Sequence, residues 1–286
     1  VLCQPNGDFQ VISTDHLRGF IADPGLMTRI AAVHALGDVW AMGAQPQVGL
    51  ASIILPQMSA DLQRRTLLEI TKIATEVLNA AGAQLVGGHT TMGAELTIGF
   101  TVTGTKNSMP LTIAGAKHGD ALILTRPIGS GVILAADMLG QADGHNVAAT
   151  LAIMGQPQDR EAVVLSTVAH AMTDVTGFGL AGHVHAMCQA SGLDAHLFQD
   201  AIPTYPGARA LSDAGVSSTL MPENYTDAPV NGLHDALLYD PQTAGGLLAS
   251  VPKIQSAAVI EALGALGCSG HVIGRLSKGT GRVCLS

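Results

Sequence analysis

Basic side chains are sparse. The chain has 14 Lys and Arg in 286 residues against 22 Asp and Glu, a formal net charge of −8, and its pI is near 5.7. A nucleic-acid surface needs clustered cations facing phosphates, so that class of partner is excluded. A single bound nucleotide is not, because a divalent cation can bring the positive charge the protein lacks. Long apolar runs are missing as well. Mean hydropathy is +0.34, but it comes from Ala, Gly, Val and Leu spread along the chain. No uncharged run nears the roughly 18 residues of a membrane span, which predicts a soluble protein. Cysteine is equally thin: Cys3, Cys188, Cys268 and Cys284 form no Cys-x-x-Cys pair and have no histidine at zinc-finger spacing. Scattered thiols exclude a disulfide framework and fit a reducing cytoplasm. The sequence has no signal peptide, short-period repeat or low-complexity tract. It opens on a strand-like Val1-Leu2-Cys3 and a turn at Pro5-Asn6-Gly7-Asp8, a start in mid-hairpin that predicts a preceding segment.

What is present is apolar material for one large core or two medium ones, 47% of the residues. Apolar spacing predicts a strand over residues 9–13, a helix over 26–42 and a buried strand over 48–55 closed by Pro56. An amphipathic helix follows over 61–81, with Ser59 or Asp61 as its cap and Gly82 at its end. Strands over 84–86 and 96–104 flank a Gly87-Gly88-His89 turn. The order is ββαβαββ. Periodicity lapses around Asn107-Ser108-Met109-Pro110, which divides the chain into α+β domains over residues 1–107 and 108–286. In the second, strands are expected over 120–125, 247–251, 271–276 and 282–285. Helices are expected from Ile128-Gly129-Ser130-Gly131 to Met138 and over 145–154, 159–171, 178–190 and 254–266. Residues 194–235 read as loop around one helix, over 207–214.

Three aspartates carry the chemistry. Asp174 lies in Met172-Thr173-Asp174-Val175-Thr176-Gly177-Phe178-Gly179-Leu180, where an apolar stretch gives way to a glycine turn and then a helix. A carboxylate beside fresh helix amides can take a cation while the amides take an anion, an arrangement that suits a metal–phosphate complex. Asp38 falls inside a helix otherwise apolar (Ala35, Leu36, Val39, Trp40, Met42), and a buried carboxylate there needs a partner or a metal. Asp15 follows the apolar Val11-Ile12 and is expected at a strand's carboxyl end, where sheets present ligands. Lone aspartates suit Mg²⁺, which takes a few carboxylates and fills its other positions with water and phosphate oxygens. Gly87, Gly88 and His89, with Thr90-Thr91 behind them, offer donors to phosphates or a ribose. His34, His183 and His185 read as structural or solvated. Gly129-Ser130-Gly131 lacks the Gly-Lys-Ser/Thr ending of a P-loop.

Several segments, in this order, resemble the selenophosphate synthetases (selenide, water dikinases). They are Ser13-Thr14-Asp15, Arg29-Ile30-Ala31-Ala32 leading to Ala35-Leu36-Gly37-Asp38, Val86-Gly87-Gly88-His89-Thr90, the stretch from Gly119-Asp120 to Gly131, Thr173-Asp174-Val175-Thr176-Gly177-Phe178-Gly179-Leu180 and Asp240-Pro241-Gln242-Thr243-Ala244-Gly245-Gly246. The resemblance covers essentially the whole chain, and its last two segments are the most specific. It implies a two-domain α+β fold of the aminoimidazole-ribonucleotide-synthetase type, with the first domain paired in a homodimer. It also implies ATP and selenide as substrates, and selenophosphate, AMP and phosphate as products. Asp38 and Asp174 fall on the family's Mg²⁺ positions, and Asp15, Asp38, Gly87, Gly88 and His89 on its ATP positions. The catalytic Cys or selenocysteine and Lys are expected in a glycine-rich arm upstream of Val1, and Cys3 is not that cysteine. His34 stands where the family usually has Asn, and Gly37 where it usually has Ser. A thiamine-monophosphate kinase-like enzyme, a hydrogenase-maturation-like enzyme and a non-catalytic nucleotide-binding module of a fusion protein are the alternatives.

Overall fold

All residues from Val1 to Ser286 are described by the computed structural model of the chain. They divide into two units, Val1–Pro110 with Gly155–Asp159, and Leu111–Met154 with Arg160–Ser286. Both are α+β. No helix is long and apolar enough to cross a membrane.

The first unit follows the expected ββαβαββ order: β1 (Leu2–Cys3), β2 (Phe9–Arg18), α1 (Pro24–Ala41), β3 (Gln45–Pro56), α2 (Ala60–Ala80), β4 (Gln84–Gly93) and β5 (Thr97–Lys106). Its sheet runs β1-β2-β5-β3-β4, antiparallel except where β3 meets β4. Along β2, Val11 is buried and Ser13, Asp15 and Leu17 are half-buried, whereas Ile12, Thr14, His16 and Arg18 are exposed. That period of two gives the sheet one helix-covered face and one open face. Asp23 caps α1 by accepting the Leu26 N–H at 2.9 Å, and Pro24 pre-sets the first turn. α1 is buried almost all round through Met27, Ile30, Val33, Leu36, Val39 and Trp40, each worth roughly 1.5–3 kcal/mol of apolar burial. α2 buries only Ile70, Ala74, Val77 and Leu78, a single stripe.

The structure corrects the sequence reading at three places in this unit. β2 does not stop before Asp15 but pairs with β5 as far as Arg18 opposite Thr97, so Asp15 is a mid-strand residue. Gly87-Gly88-His89 is no turn; it lies within β4, in parallel register with Leu50-Ala51-Ser52 of β3. The long β3 supplies a template that carries the edge strand through its glycines. Gly88 is required there, because a Cβ would come 2.1 Å from the Ala51 carbonyl oxygen. Finally, β3 is not buried on both faces: Leu50 and Ser52 are exposed on the open face.

The second unit comprises β6 (Asp120–Leu124), α3 (Ser130–Met138), α4 (Gly144–Met154), α5 (Asp159–Ser166), β7 (Ala171–Asp174), α6 (Gly179–Ser191), β8 (Leu193–Leu197), α7 (Ala208–Asp213), α8 (Met221–Asp227), β9 (Val230–Gly232), β10 (Leu247–Pro252), α9 (Ser256–Ala265), β11 (His271–Lys278) and β12 (Val283–Leu285). Its sheet runs β7-β10-β6-β11-β8-β12-β9. β6 is buried throughout, as the apolar run over residues 121–124 after Asp120 requires. The helix expected over 159–171 ends at Ser166, and Ala171–Asp174 pairs instead with Leu247–Ser250 of β10. β8, β9 and α8 occupy the stretch read as loop. β8 buries Leu193, Ala195 and Leu197 in alternation, but its pairing partners are distant in sequence.

Candidate functional site

Asp15 and Asp38 meet on the helix-covered face of the first unit. β2 presents Ser13 and Asp15 on that face, two residues apart, and α1 lays Asp38 against them. The Ser13 hydroxyl donates to Asp38 Oδ2. Burial, then the negative charge of Asp38 and a hydrogen bond to it, push the Asp15 carboxyl up to about 7. Burial first and the neighbouring Asp38 charge second thus favour the protonated form of Asp15. His34, one turn before Asp38 on α1, is pushed below the ordinary imidazole value by burial, with Asp38 opposing. The apolar helix thus carries a carboxylate that is partnered, as its sequence demanded, though by a strand residue and a serine that periodicity alone did not pair with it. Ser13 was legible only as the residue two before Asp15, on the same strand face.

The donor set fits a hard divalent cation. A cation placed on the Asp15–Asp38 pair would offset the charge of Asp38 that helps to raise the Asp15 carboxyl. No three Asp, Glu, His or Cys side chains converge to form a complete metal site alone. The remaining ligands would therefore be water and phosphate oxygens, the habit of Mg²⁺.

Gly87, Gly88 and His89 lie elsewhere in the sheet. β4 is separated from β2 by β5 and β3, about 14 Å at the usual strand spacing. His89 registers with the exposed Ser52, on the face opposite Asp15. With Leu67 and Thr71 of α2, the three residues line a cavity of about 430 Å³. Within this unit the glycine segment and the carboxylate pair are two separate features.

Asp174 belongs to the second unit. It is the last residue of β7, opposite Leu247 of β10, and is only 6% exposed. The turn after it is held by main-chain bonds: Val175 N–H to Gly246 O (2.8 Å), Gln242 N–H to Thr176 O (3.0 Å) and Gly179 N–H to Thr176 O (3.0 Å). The Thr176 N–H donates to His183 Nε2 at 2.9 Å, which makes His183 a structural acceptor rather than a solvated ring. Asn224 Nδ2 donates to Gly177 O at 2.8 Å. Gly179 opens α6 at φ +69°, and a Cβ there would lie 2.7 Å from Leu238 O, so only glycine fits. Phe178 is left 68% exposed, its ring 5.9 Å from that of His183, at the lip of a cavity of about 300 Å³ that His185, Gln189 and Asp227 also line. Sequence reasoning missed the grip of Asn224 and Gln242 on this turn, since both lie in segments that carry no periodic signal.

Both units have counterparts among known proteins. Residues 1–105 match the family model of the AIR synthase related protein N-terminal domain, and residues 117–284 match that of the C-terminal domain. A selenide, water dikinase of Bdellovibrio bacteriovorus is 34% identical over 283 residues, covering 95% of this chain and 80% of that protein. One from Dechloromonas aromatica is 35% identical over 252 residues, covering 84% of this chain and 71% of that protein. Among solved structures, a thiamine-monophosphate kinase from Stenotrophomonas maltophilia superposes with a TM-score of 0.78 at 19% identity, over 98% of this chain and 86% of that one. The hydrogenase maturation protein HypE in complex with ATP superposes with a TM-score of 0.72, also at 19% identity, over 94% of this chain and 77% of that one. These two likenesses speak for the fold.

Proposed function

The chain belongs to the selenide, water dikinase family, within the AIR synthase related proteins, and on that premise we propose that it joins selenide, ATP and water into selenophosphate, AMP and phosphate. The observation that carries the reading is the Asp15–Asp38 pair, two half-buried carboxylates brought together from β2 and α1, with the Ser13 hydroxyl donating to Asp38, where a metal-bound nucleotide would bring positive charge. Mg²⁺ is the proposed ion, and Asp38 in the first unit and Asp174 in the second are each proposed as a carboxylate that takes it, with Asp15 beside Asp38 as a nucleotide contact. When bound, it would neutralise phosphate oxygens, which is most of what phosphoryl transfer requires of an enzyme. The chain's own part is to hold the carboxylates in place: Ser13 orients Asp38, and the glycine turn orients Asp174. Gly87, Gly88 and His89 are proposed to meet the nucleotide from β4.

The open face of the first sheet supports a homodimer. Ile12 and Leu50 are about half exposed there, on strands that otherwise bury apolar residues, and an apolar face of this kind is expected to be covered. Sedimentation at micromolar concentration showing only monomer would count against pairing through that face. Free thiols at Cys3, Cys188, Cys268 and Cys284 accord with a cytoplasmic setting.

The test is incubation of the full-length protein with Mg²⁺, ATP and selenide. Selenide-dependent release of AMP is expected. Absence of selenide-dependent AMP, with phosphorylation of thiamine monophosphate in a parallel arm, would move the protein to the kinase branch of the fold.

A further inference from the structure

The segment Asp240-Pro241-Gln242-Thr243-Ala244-Gly245-Gly246 has no part in the chemistry above, yet it is bonded on two sides. Gln242 is 3% exposed. Its side-chain Oε1 accepts from Gly129 N (3.0 Å), Ser130 N (3.1 Å) and Ser130 Oγ (3.1 Å). Its Nε2 donates to Asp240 O (2.7 Å) and Asp240 Oδ2 (2.9 Å), and the same carboxyl oxygen accepts the Gly131 N–H at 2.9 Å. The first turn of α3 has orphan N–H groups like any helix start, and here side chains from a distant segment satisfy them. The main chain of the segment faces the other way, onto the Asp174 turn. The Gln242 N–H donates to Thr176 O and Gly246 O accepts from Val175 N–H. A Cβ on Gly245 would stand 2.1 Å from Val175 O. One residue therefore grips the start of α3 with its side chain and the turn after Asp174 with its backbone.

We propose that Gln242 is a positioning residue for Asp174, anchoring the 175–179 turn to the N-terminus of α3 so that the carboxylate is held ready for metal-bound nucleotide. The inference rests on the reading of Asp174 as a metal ligand. Groups that orient a metal ligand commonly change metal affinity by about 10–100-fold when lost. A structural glutamine alone would alter stability without altering the metal dependence of binding.

The experiment compares the full-length protein with Gln242→Met, which keeps the bulk and removes both the Oε1 acceptor and the Nε2 donor. Amide hydrogen exchange at Val175, Thr176 and Gly179 is read beside calorimetric titration of a non-hydrolysable ATP analogue, with Mg²⁺ and with EDTA. The expected result is faster exchange at those amides and affinity about 10-fold weaker with Mg²⁺, with nucleotide binding in EDTA unmoved. Affinity within twofold of the parent in Mg²⁺, or an equal loss with and without the metal, overturns the proposal. If Gln242→Met does not fold, Ser130→Ala removes one of the three donors to Oε1; it should shift the Mg²⁺ titration in the same direction by a few fold, and no shift there would be equally fatal. Asp174→Asn distinguishes the two readings. Should it leave Mg²⁺–nucleotide affinity unchanged, the metal role of Asp174 fails, while the exchange data still report whether Gln242 holds the turn.

Discussion

The two acidic sites are held by different means. In the first unit Asp15 and Asp38 sit on a regular strand and a regular helix and are joined side chain to side chain, with Ser13 completing the contact. In the second unit Asp174 ends a four-residue strand, and the turn around it is fixed chiefly by main-chain bonds and a left-handed glycine. The first site has its cost in charge, the second in backbone conformation. Charge substitutions should therefore be felt most at the first and backbone substitutions most at the second.

The largest expected effect is at the turn. Gly179→Ala must put a Cβ 2.7 Å from Leu238 O at φ +69°, adding left-handed strain to overpacking, about 3 kcal/mol together. Gly177→Ala, two residues earlier, meets nothing within 4 Å and should change stability by less than about 0.5 kcal/mol. Denaturant unfolding of both variants checks this. Equal effects would mean that the turn is not the rigid element described here.

How far each site was legible in the sequence follows the same contrast. Asp38 stood out because a carboxylate in an apolar helix is anomalous on local grounds, and the glycine turn after Asp174 was visible in its own composition. The ββαβαββ order of the first unit was readable from apolar spacing, since α1, β3 and α2 are long enough to show a period. Features that depend on a partner strand were not. Asp15 looks like a strand end in the sequence because nothing local says that β2 pairs on to Arg18. Gly87-Gly88-His89 looked like a turn because its pairing with β3 outweighs its glycine content. β7 is four residues long and is specified by β10, and β8 takes its place from β11 and β12.

A smaller effect tests the charge side. The Asp15 carboxyl is raised to about 7 from an unfolded value of 3.8, so its contribution favours the fold fully below about pH 4 and is lost as pH rises through 7. The metal-free protein should lose stability between pH 5 and 8. Asp15→Asn, which keeps a donor toward Asp38 and cannot ionise, should recover on the order of 1 kcal/mol at pH 8, after allowing for solvent around a half-exposed group. Asp240, buried and also raised to about 7, leaves a residual slope in the variant. Thermal melts at both pH values decide the matter, and a variant with the parent's full pH slope would remove Asp15 as the group responsible.

The most direct measurement is calorimetric titration of Mg²⁺–ATP into Asp38→Asn and Asp174→Asn beside the parent, with melts to confirm folding. If Asp38 and Asp174 each ligate Mg²⁺, each substitution should weaken binding by at least about 10-fold while both variants stay folded. Unchanged affinity in both variants would contradict the account.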